Sequence, residues 1–286
     1  MRLINTSTMK MEEFVSSANH VYAVLSHTWG EEEVSFRQYL TPEARLMAGY
    51  RKIEHSCALA LRSRLPYLWI DTCCIDKSSS AELSEAINSM YRWYRDAAVC
   101  YVHLSDMKHC KDYQNRSEDG SIVSKNFQML QACRWFTRGW TLQELLAPRN
   151  VEFYDQNWVL IGTKRRMWGL LSKITGIKPR HLWKSQEASV AQKMSWAANR
   201  QTTRTEDIAY SLLGLFNVTC PYYTVKVRKH SRDFSMKSCN RPMTSLSLPG
   251  LTTESGQVVC WRSHRQTSQC PAISFPSINF TENLTQ

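Results

Sequence analysis

The chain has 286 residues, of which 43% are hydrophobic, and a formal net charge of +11. This composition is typical of a globular protein with a buried core and excludes an intrinsically disordered chain. No apolar run reaches the ~20 residues that cross a bilayer, and the N-terminus lacks the basic-then-apolar pattern of a secretory signal. We therefore expect a soluble, cytoplasmic protein without membrane contact.

The first 160 residues alternate strand-like and helix-like segments. Four short runs rich in β-branched and aromatic residues are typical of buried strands: 21–26, 67–71, 98–104 and 151–155. Residues 43–64 show helical apolar spacing, and so does the segment that the capping-box sequence Ser79-Ser-Ala-Glu82 opens. Strands separated by such helices predict an α/β domain with a mainly parallel sheet, which binds ligands beyond the carboxyl ends of its strands.

The remainder of the chain differs from this pattern. Residues 161–219 are helical in their apolar spacing, which predicts a helical extension packed on the sheet. From residue 221 onward, 17 Ser or Thr and five of the nine prolines occur, with eight Lys or Arg against three acids. We expect residues 220–286 to be a basic Ser/Thr/Pro-rich tail without a stable fold.

The charge and the cysteines exclude several functions. Much of the positive excess lies in the tail, and no nucleic-acid motif is present, so we expect no nucleic-acid binding. The ten cysteines include no CxxC pair, so we expect no zinc or other metal site. The cysteines that lie in apolar runs, where free Cys behaves as a small buried hydrophobe, are Cys57, Cys73, Cys74, Cys100 and Cys133.

The predicted strand ends carry the first candidate site residues. The strand at 21–26 leads into Ser26, His27, Trp29 and Gly30, a set that could hold a sugar or phosphate close to the backbone. The alternative is a strand-to-loop corner in which Trp29 packs into the core.

Two carboxylates follow the next predicted strand. Asp71 comes directly after the strand at 67–71 and either caps a neighbouring helix or faces a ligand. Asp76 precedes a helix and is either a turn residue or a further ligand contact. A cysteine nucleophile, Cys73 or Cys74 with His27, is a third interpretation, but the surrounding residues match no cysteine-protease signature.

The stretch RGWTLQELLAPRNVEFYD, residues 138–155, contains the main catalytic candidate. At about 100° per residue, Trp140 and Glu144 share one helix face, and the leucines fall on the opposite side. An indole beside a carboxylate suits glycosidic-bond chemistry, because the carboxylate stabilises or attacks an oxocarbenium-like centre. The alternative is a solvated Glu144 that pairs with Arg138 or Arg149, beside a half-buried Trp140.

Five stretches, in this order, resemble the fungal heterokaryon-incompatibility (HET) domain: MRLINTSTMKMEEF, YAVLSHTWGEEEVSF, YLWIDTCCIDKSSSAELSEAINSMYRWYRDAAVCYVHLSD, RWFTRGWTLQELLAPRNVEFYDQNW and SWAANRQTTRTEDIAYSLLGLFNV. The resemblance places the domain at residues 1–160 and its helical extension at 161–219. It implies a role in fungal non-self recognition and programmed cell death. After residue 220 the chain departs from the family's pattern, which favours a truncated or misread end over a further folded unit.

Segments of the chain also resemble the strand and helix order of TIR domains, which implies a flavodoxin-like sheet. The TIR segment Ser-x-Trp-Cys-x-x-Glu-Leu is similar to TRGWTLQEL, which places its Trp on Trp140 and its Glu on Glu144. Some TIR domains hydrolyse NAD at the nicotinamide–ribose bond with this Glu. The resemblance therefore implies that Glu144 is catalytic and that NAD is a substrate, with no cofactor and no metal. It implies a substrate-binding set of Ser26, His27, Trp29, Gly30, Asp71, Asp76 and Trp140.

The same resemblance also leaves a non-enzymatic function open, because many TIR domains are only interaction modules. On that alternative the chain is a signalling module that acts by homotypic assembly. Its partners would be further copies of itself or other incompatibility proteins.

Overall fold

The computed structural model describes residues 1–15, 20–108, 127–219 and 262–263. Its centre is a seven-stranded sheet in the order β2-β1-β4-β3-β5-β6-β7. The strands are β1 Arg2–Asn5, β2 Met11–Glu13, β3 Tyr22–His27, β4 Tyr67–Ile70, β5 Val99–His103, β6 Val151–Tyr154 and β7 Leu160–Thr163. The four predicted strands correspond to β3, β4, β5 and β6, so the predicted α/β class is confirmed.

The sheet is mixed, with a parallel centre. β3 pairs in parallel with β4 on one side and β5 on the other, and β5 pairs in parallel with β6. The N-terminal hairpin β1–β2 and the edge strand β7 are antiparallel and were not predicted. They are short and only partly buried, apart from Leu3 and Ile4, so the alternation that marks a strand is weak. All six residues of β3 are buried, which places the core around this strand.

The α-helices of the described ranges cover the sheet and form the extension. They are α1 Phe36–Tyr39, α2 Tyr50–Arg62, α3 Ser80–Asp96, α4 Thr141–Leu146, α5 Trp168–Thr175, α6 Pro179–Trp183, α7 Val190–Ala197, α8 Asp207–Tyr210 and α9 Leu213–Phe216, besides a helical turn at residues 127–131. Three 3₁₀ turns accompany them: Pro42–Leu46, Arg134–Thr137 and Ser185–Glu187. In the described structure, residues 164–216 hold helices α5 to α9 and one 3₁₀ turn, while β7 and the short strand Val218–Thr219 lie at the two ends of the predicted extension.

Two predicted helix starts differ in detail. The segment predicted at 43–64 divides at Gly49, where an added Cβ would lie 2.4 Å from the Glu32 carbonyl oxygen, so the passing loop requires a glycine there. At α3 the Ser79 side chain accepts from the Glu82 N–H at 3.3 Å. The Glu82 carboxylate instead accepts from the Asp76 N–H and pairs with Arg2, so only half of the capping box forms.

The extension packs directly on the α/β domain. Leu213 of α9 is buried against Ile87 of α3, and Gly214 lies so close to Tyr91 that an added Cβ would meet the Tyr91 Cβ at 2.0 Å. Of residues 220–286, only the two-residue strand Arg262–Ser263 is described, and it pairs antiparallel with Val218–Thr219. The predicted unfolded tail otherwise lies outside the described residues. Among the residues described, no helix is both long and apolar enough to cross a membrane.

Candidate active site

The sheet topology creates a natural ligand position at the end of β3. From β3 the chain moves to β4 on one side and then crosses back to β5 on the other side. Where the strand order reverses in this way, the connections leave a crevice at the carboxyl ends of the strands, and ligands of open α/β sheets bind there. Ser26 and His27 form the end of β3 and align with Val102 and His103 of β5.

Glu144 lies at this position and is buried. It is the fourth residue of α4, and only 7% of its surface is exposed. The Ser26 hydroxyl donates a hydrogen bond to Glu144 Oε2, and the Trp135 indole N–H donates to Ser26 Oγ at 2.7 Å. The Tyr94 hydroxyl, which contacts the Leu25 carbonyl at 3.2 Å, also hydrogen-bonds Glu144. The interpretation of Glu144 as a solvated carboxylate is therefore wrong.

The surroundings of Glu144 favour its protonated form. Burial raises the pKa of Glu144 to about 8, and the negative charge of Asp71 acts in the same direction. The Ser26 hydrogen bond and the positive charge of Arg200 oppose this rise without cancelling it. A buried carboxyl group with a strongly raised pKa, placed at a ligand-binding edge, is a candidate functional group.

Asp71 and Trp29 form the exposed rim of the site. Trp29 is 48% exposed, so the prediction that it packs into the core is wrong. Its indole N–H donates to Asp71 Oδ2 at 3.0 Å, and the Lys77 ammonium lies 3.7 Å from the centre of its ring. Asp71 therefore contacts Trp29 and acts electrostatically on Glu144, and no helix cap by Asp71 is present among its described contacts.

His27 and Gly30 belong to a different network. The His27 Nε2 lies 3.4 Å from Glu33 Oε2, the Gly30 N–H donates to Glu33 Oε1 at 2.7 Å, and the Lys52 ammonium pairs with the same carboxylate. Burial by itself raises the pKa of Glu33, but hydrogen bonds and charges from His27 and Lys52 outweigh it and lower that pKa to about 2. Side chains of successive strand residues point to opposite faces, so His27 and Ser26 serve separate carboxylates.

Asp76 and Trp140 lie away from Glu144. The Asp76 carboxylate accepts from the Ser78 N–H at 2.9 Å and from the Ser78 hydroxyl at 2.6 Å, as a turn residue does. It lines a shallow cavity of about 230 Å³ with Ser35, Phe36, Arg37, Thr72, Ile75, Lys77 and Ser78. Trp140 packs against the cluster of Ile87 and Leu213, so its shared helix face with Glu144 does not produce a shared pocket.

Several residues of the site were not predicted from the sequence. Trp135 and Tyr94 hold the Ser26–Glu144 pair, and Arg200 reaches it from the helical extension. The buried Lys164 donates to the Leu145 and Pro148 carbonyls at 2.8 and 2.9 Å, where it stabilises the end of the Glu144 helix. In the sequence these residues look like ordinary core aromatics and surface cations, so no local signal marked them.

The alternative of a cysteine nucleophile is not supported. Cys73 is fully buried, and burial raises the pKa of its thiol well above the ordinary value, which is the opposite of activation. Cys57, Cys73, Cys74, Cys100 and Cys133 are all free and buried, as predicted for cysteines in apolar runs. In the part of the chain that the structure describes, no three His, Cys, Asp or Glu side chains gather as a metal-ligand set.

Sequence comparison finds a family similarity in the part of the chain that carries this site. Residues 22–144 match the family described as Heterokaryon incompatibility protein (HET). The match begins at the first residue of β3 and ends at Glu144, so it spans the parallel strands β3, β4 and β5 and the candidate carboxylate. Over these residues the chain is similar to the heterokaryon-incompatibility family.

One relative is similar over a longer stretch of the chain. The chain is 48% identical over 204 residues to Vegetative incompatibility protein HET-E-1 of Podospora anserina, across 70% of this chain. The chain spans about 15% of the length of that relative. No solved structure matches the chain.

Proposed function

We propose that the chain acts in fungal heterokaryon incompatibility and that it does so as an NAD glycohydrolase with Glu144 as its catalytic carboxylate. The family match and the incompatibility relative support the biological role. Loss of cellular NAD would connect the activity to programmed cell death. The four parallel strands run in the order second, first, third, fourth, which agrees with a flavodoxin-like or TIR-like sheet.

The observation that carries the enzymatic proposal is the position of Glu144. A buried carboxyl group at the strand-order reversal, held by a buried serine, is difficult to explain by stability, because a buried ionisable group destabilises the fold. Strained or destabilising placements of this kind are typical of functional sites.

The proposed reaction is hydrolysis of the nicotinamide–ribose bond. The C1′–N1 bond breaks, its electron pair goes to the nicotinamide nitrogen, and an oxocarbenium-like ribosyl centre forms. The ionised Glu144 stabilises this cation, a water oxygen bonds to C1′, and one proton is released to solvent. The leaving group is neutral once it departs, so the reaction needs neither a general acid on nicotinamide nor a metal.

The raised pKa of Glu144 has a direct kinetic consequence. With a pKa of about 8 in the free protein, most Glu144 is protonated at neutral pH. The positive charge of bound nicotinamide riboside favours the ionised carboxylate, so substrate binding and deprotonation are coupled. We expect kcat/KM for NAD to rise with pH up to about 8 and to level off above it.

The other predicted contacts divide into two groups in this proposal. Ser26 orients the Glu144 carboxylate, and Trp29 and Asp71 form the rim that contacts nicotinamide or ribose. For His27, Gly30, Asp76 and Trp140 a substrate contact stays a prediction. Among them Asp76 is the best placed, because it lines a cavity together with Lys77, whose ammonium contacts the Trp29 ring.

The test is nicotinamide release from NAD by the full chain at high protein concentration, compared with Glu144→Gln. We expect the substitution to reduce release by at least about 100-fold, because charge stabilisation of the transition state is lost. Glu187→Gln, which removes an exposed carboxylate of the extension, is the matched control and should release nicotinamide like the unaltered protein. Equal activity of Glu144→Gln and the unaltered chain would refute the site, and no release by either would refute the enzyme.

Homotypic assembly is a second candidate because of the edge strand β7. β7 lies at one end of the sheet, and Leu160 within it and Val159 before it are 44% and 43% exposed. An exposed apolar edge strand is a template for pairing with another chain. Light scattering of the full chain and of Leu160→Lys tests this function: concentration-dependent assembly that Leu160→Lys abolishes, without nicotinamide release, would favour it over the enzyme.

A further inference from the structure

The helical extension docks on the segment that precedes the Glu144 helix. The Gly139 N–H donates to the Gln201 carbonyl at 2.8 Å, and the Gln201 N–H donates to the Thr137 carbonyl at 2.7 Å. These two bonds form a short parallel bridge between residues far apart in the chain. The Arg138 guanidinium adds a contact to the Thr203 hydroxyl at 3.0 Å. The start of α4 is therefore fixed by residues outside the matched family region.

Arg200 connects this docking to the carboxylate. Its Nη1 donates to the Arg138 carbonyl and to the Thr141 hydroxyl, both at 2.9 Å, and its Nε donates to the Trp196 carbonyl at 3.2 Å. Thr141 is the first residue of α4, and Glu144 follows within the same turn. A guanidinium with several planar donors can hold two backbone segments and a side chain in one geometry, which an ammonium cannot.

The charge of Arg200 also acts on Glu144. The groups that influence the carboxyl from the elements around it are Asp71 after β4, Tyr94 of α3, Cys100 of β5, Ser26 of β3 and Arg200. Within this set, Arg200 alone is a cation, and Asp71 acts in the opposite direction. Burial makes the guanidinium charge costly, and the nearby Glu144 carboxylate offsets part of that cost.

We infer that Arg200 is a positioning residue of the site: it fixes the start of the Glu144 helix and supplies the positive charge that opposes Asp71 at the carboxyl group. The functional unit therefore extends past the family match, which ends at Glu144, to the docked residues 200–213. The part of this inference that concerns catalysis rests on the proposed NAD hydrolysis. The part that concerns the ionisation and placement of Glu144 does not.

Gly139 gives an independent way to disturb the docking. A Cβ added at Gly139 would lie 2.5 Å from Thr202 Cγ2, 3.4 Å from Ser211 Oγ and 3.7 Å from the Gln201 carbonyl oxygen. Only the Thr202 methyl makes an impossible contact, and Thr202→Ser removes that methyl while it keeps the hydroxyl that donates to the Arg204 carbonyl. Gly139→Ala should thus push the extension away, and Gly139→Ala with Thr202→Ser should let it return.

The first experiment follows the ¹³C chemical shift of the Glu144 carboxyl with pH in the full chain. In Arg200→Gln we expect its titration to move upward by about one pH unit, and nicotinamide release at pH 7 to fall about tenfold and to recover at higher pH. Arg200→Lys should bring the Glu144 titration closer to that of the unaltered chain than it brings nicotinamide release. It keeps the positive charge but loses the planar set of guanidinium donors. Arg180→Gln removes an exposed cation of the extension and should change neither.

An unchanged Glu144 titration in Arg200→Gln would overturn the inference even if the chain released no nicotinamide, so its failure is separate from failure of the proposed function. If Arg200→Gln does not fold, the glycine pair decides instead. We expect Gly139→Ala to shift the Glu144 titration and Gly139→Ala with Thr202→Ser to reverse that shift. A Gly139→Ala titration equal to that of the unaltered chain would contradict the docking role.

Discussion

Two neighbouring residues at the end of β3 contact two carboxyl groups whose pKa values are shifted in opposite directions. Ser26 contacts Glu144. Burial and the negative charge of Asp71 raise the pKa of Glu144 to about 8. His27 contacts Glu33, whose pKa is lowered to about 2, although burial alone would raise it. The sheet separates the two pairs, because successive strand residues point to opposite faces.

The difference shows that burial does not decide the state of a carboxyl group by itself. Glu33 receives a histidine, a lysine ammonium and a backbone N–H, which satisfy its charge and tie the loop after β3 to α2. Glu144 receives hydrogen bonds from neutral hydroxyl groups only; the charge of Arg200 favours its ionisation and the charge of Asp71 opposes it. Glu33 is therefore a structural anion, whereas Glu144 is a buried carboxyl group that, in our proposal, a cationic substrate would ionise.

The largest expected effect is a gain in stability on Glu144→Gln. The folded-state pKa of Glu144 lies above its ordinary value of 4.5, so between pH 4.5 and 8 the unfolded chain releases a proton that the folded chain keeps, and stability falls as pH rises. Removal of the charge should stabilise the fold by about 2 to 4 kcal/mol at pH 8 and by little at pH 4. Urea unfolding at both pH values measures this, with the exposed Glu31→Gln as the control.

Glu33→Gln should have the opposite sign and a smaller size. The folded-state pKa of Glu33 lies below 4.5, so its contribution to stability is present above pH 4.5 and is lost as pH falls toward 2. We expect Glu33→Gln to lose about 1 to 3 kcal/mol at pH 7 after allowance for solvent screening, and much less at pH 2.5. The same unfolding series checks this. Two substitutions with effects of the same sign at pH 8 would break the comparison.

Ser26→Ala should have the smallest effect on stability and a specific effect on titration. It leaves the Trp135 N–H and Glu144 without their shared partner, which costs about 1 kcal/mol. Because the lost hydrogen bond lowered the pKa of Glu144, that pKa should rise further, and nicotinamide release at neutral pH should fall. Ser56→Ala removes another buried serine, which contacts the Lys52 carbonyl, and should leave the Glu144 titration unchanged.

The sequence predicts the parallel centre of the fold better than its edges. β3, β4, β5 and β6 are buried runs rich in β-branched and aromatic residues, so composition identifies them within about two residues. The hairpin β1–β2 and the strand β7 are short and half exposed, so the alternation that marks a strand is weak in them, and β1 joins the sheet through β4, which is distant in the chain.

The sequence likewise predicts some residues of the candidate site and not others. Helical spacing together with a family resemblance predicts Glu144 as the candidate carboxylate, because the motif around it is a continuous stretch of sequence that forms α4. The helix packs Trp140 against Leu213 of the extension, which the shared helix face did not predict, and a substrate contact of Trp140 stays a prediction. Trp135 contacts Ser26, Tyr94 hydrogen-bonds Glu144, and Arg200 acts on Glu144 through its charge; tertiary packing alone brings these three to the site, which spacing along the chain cannot encode.

The most direct test of the central claim is a pH titration of the glutamate side-chain carboxyls by ¹³C NMR. Glu144→Gln and Glu33→Gln assign the two resonances. We expect one resonance that titrates near pH 8 and disappears in Glu144→Gln, and one that titrates near pH 2 and disappears in Glu33→Gln. A Glu144 carboxyl that titrates below about pH 5.5, as a solvated glutamate does, would contradict it.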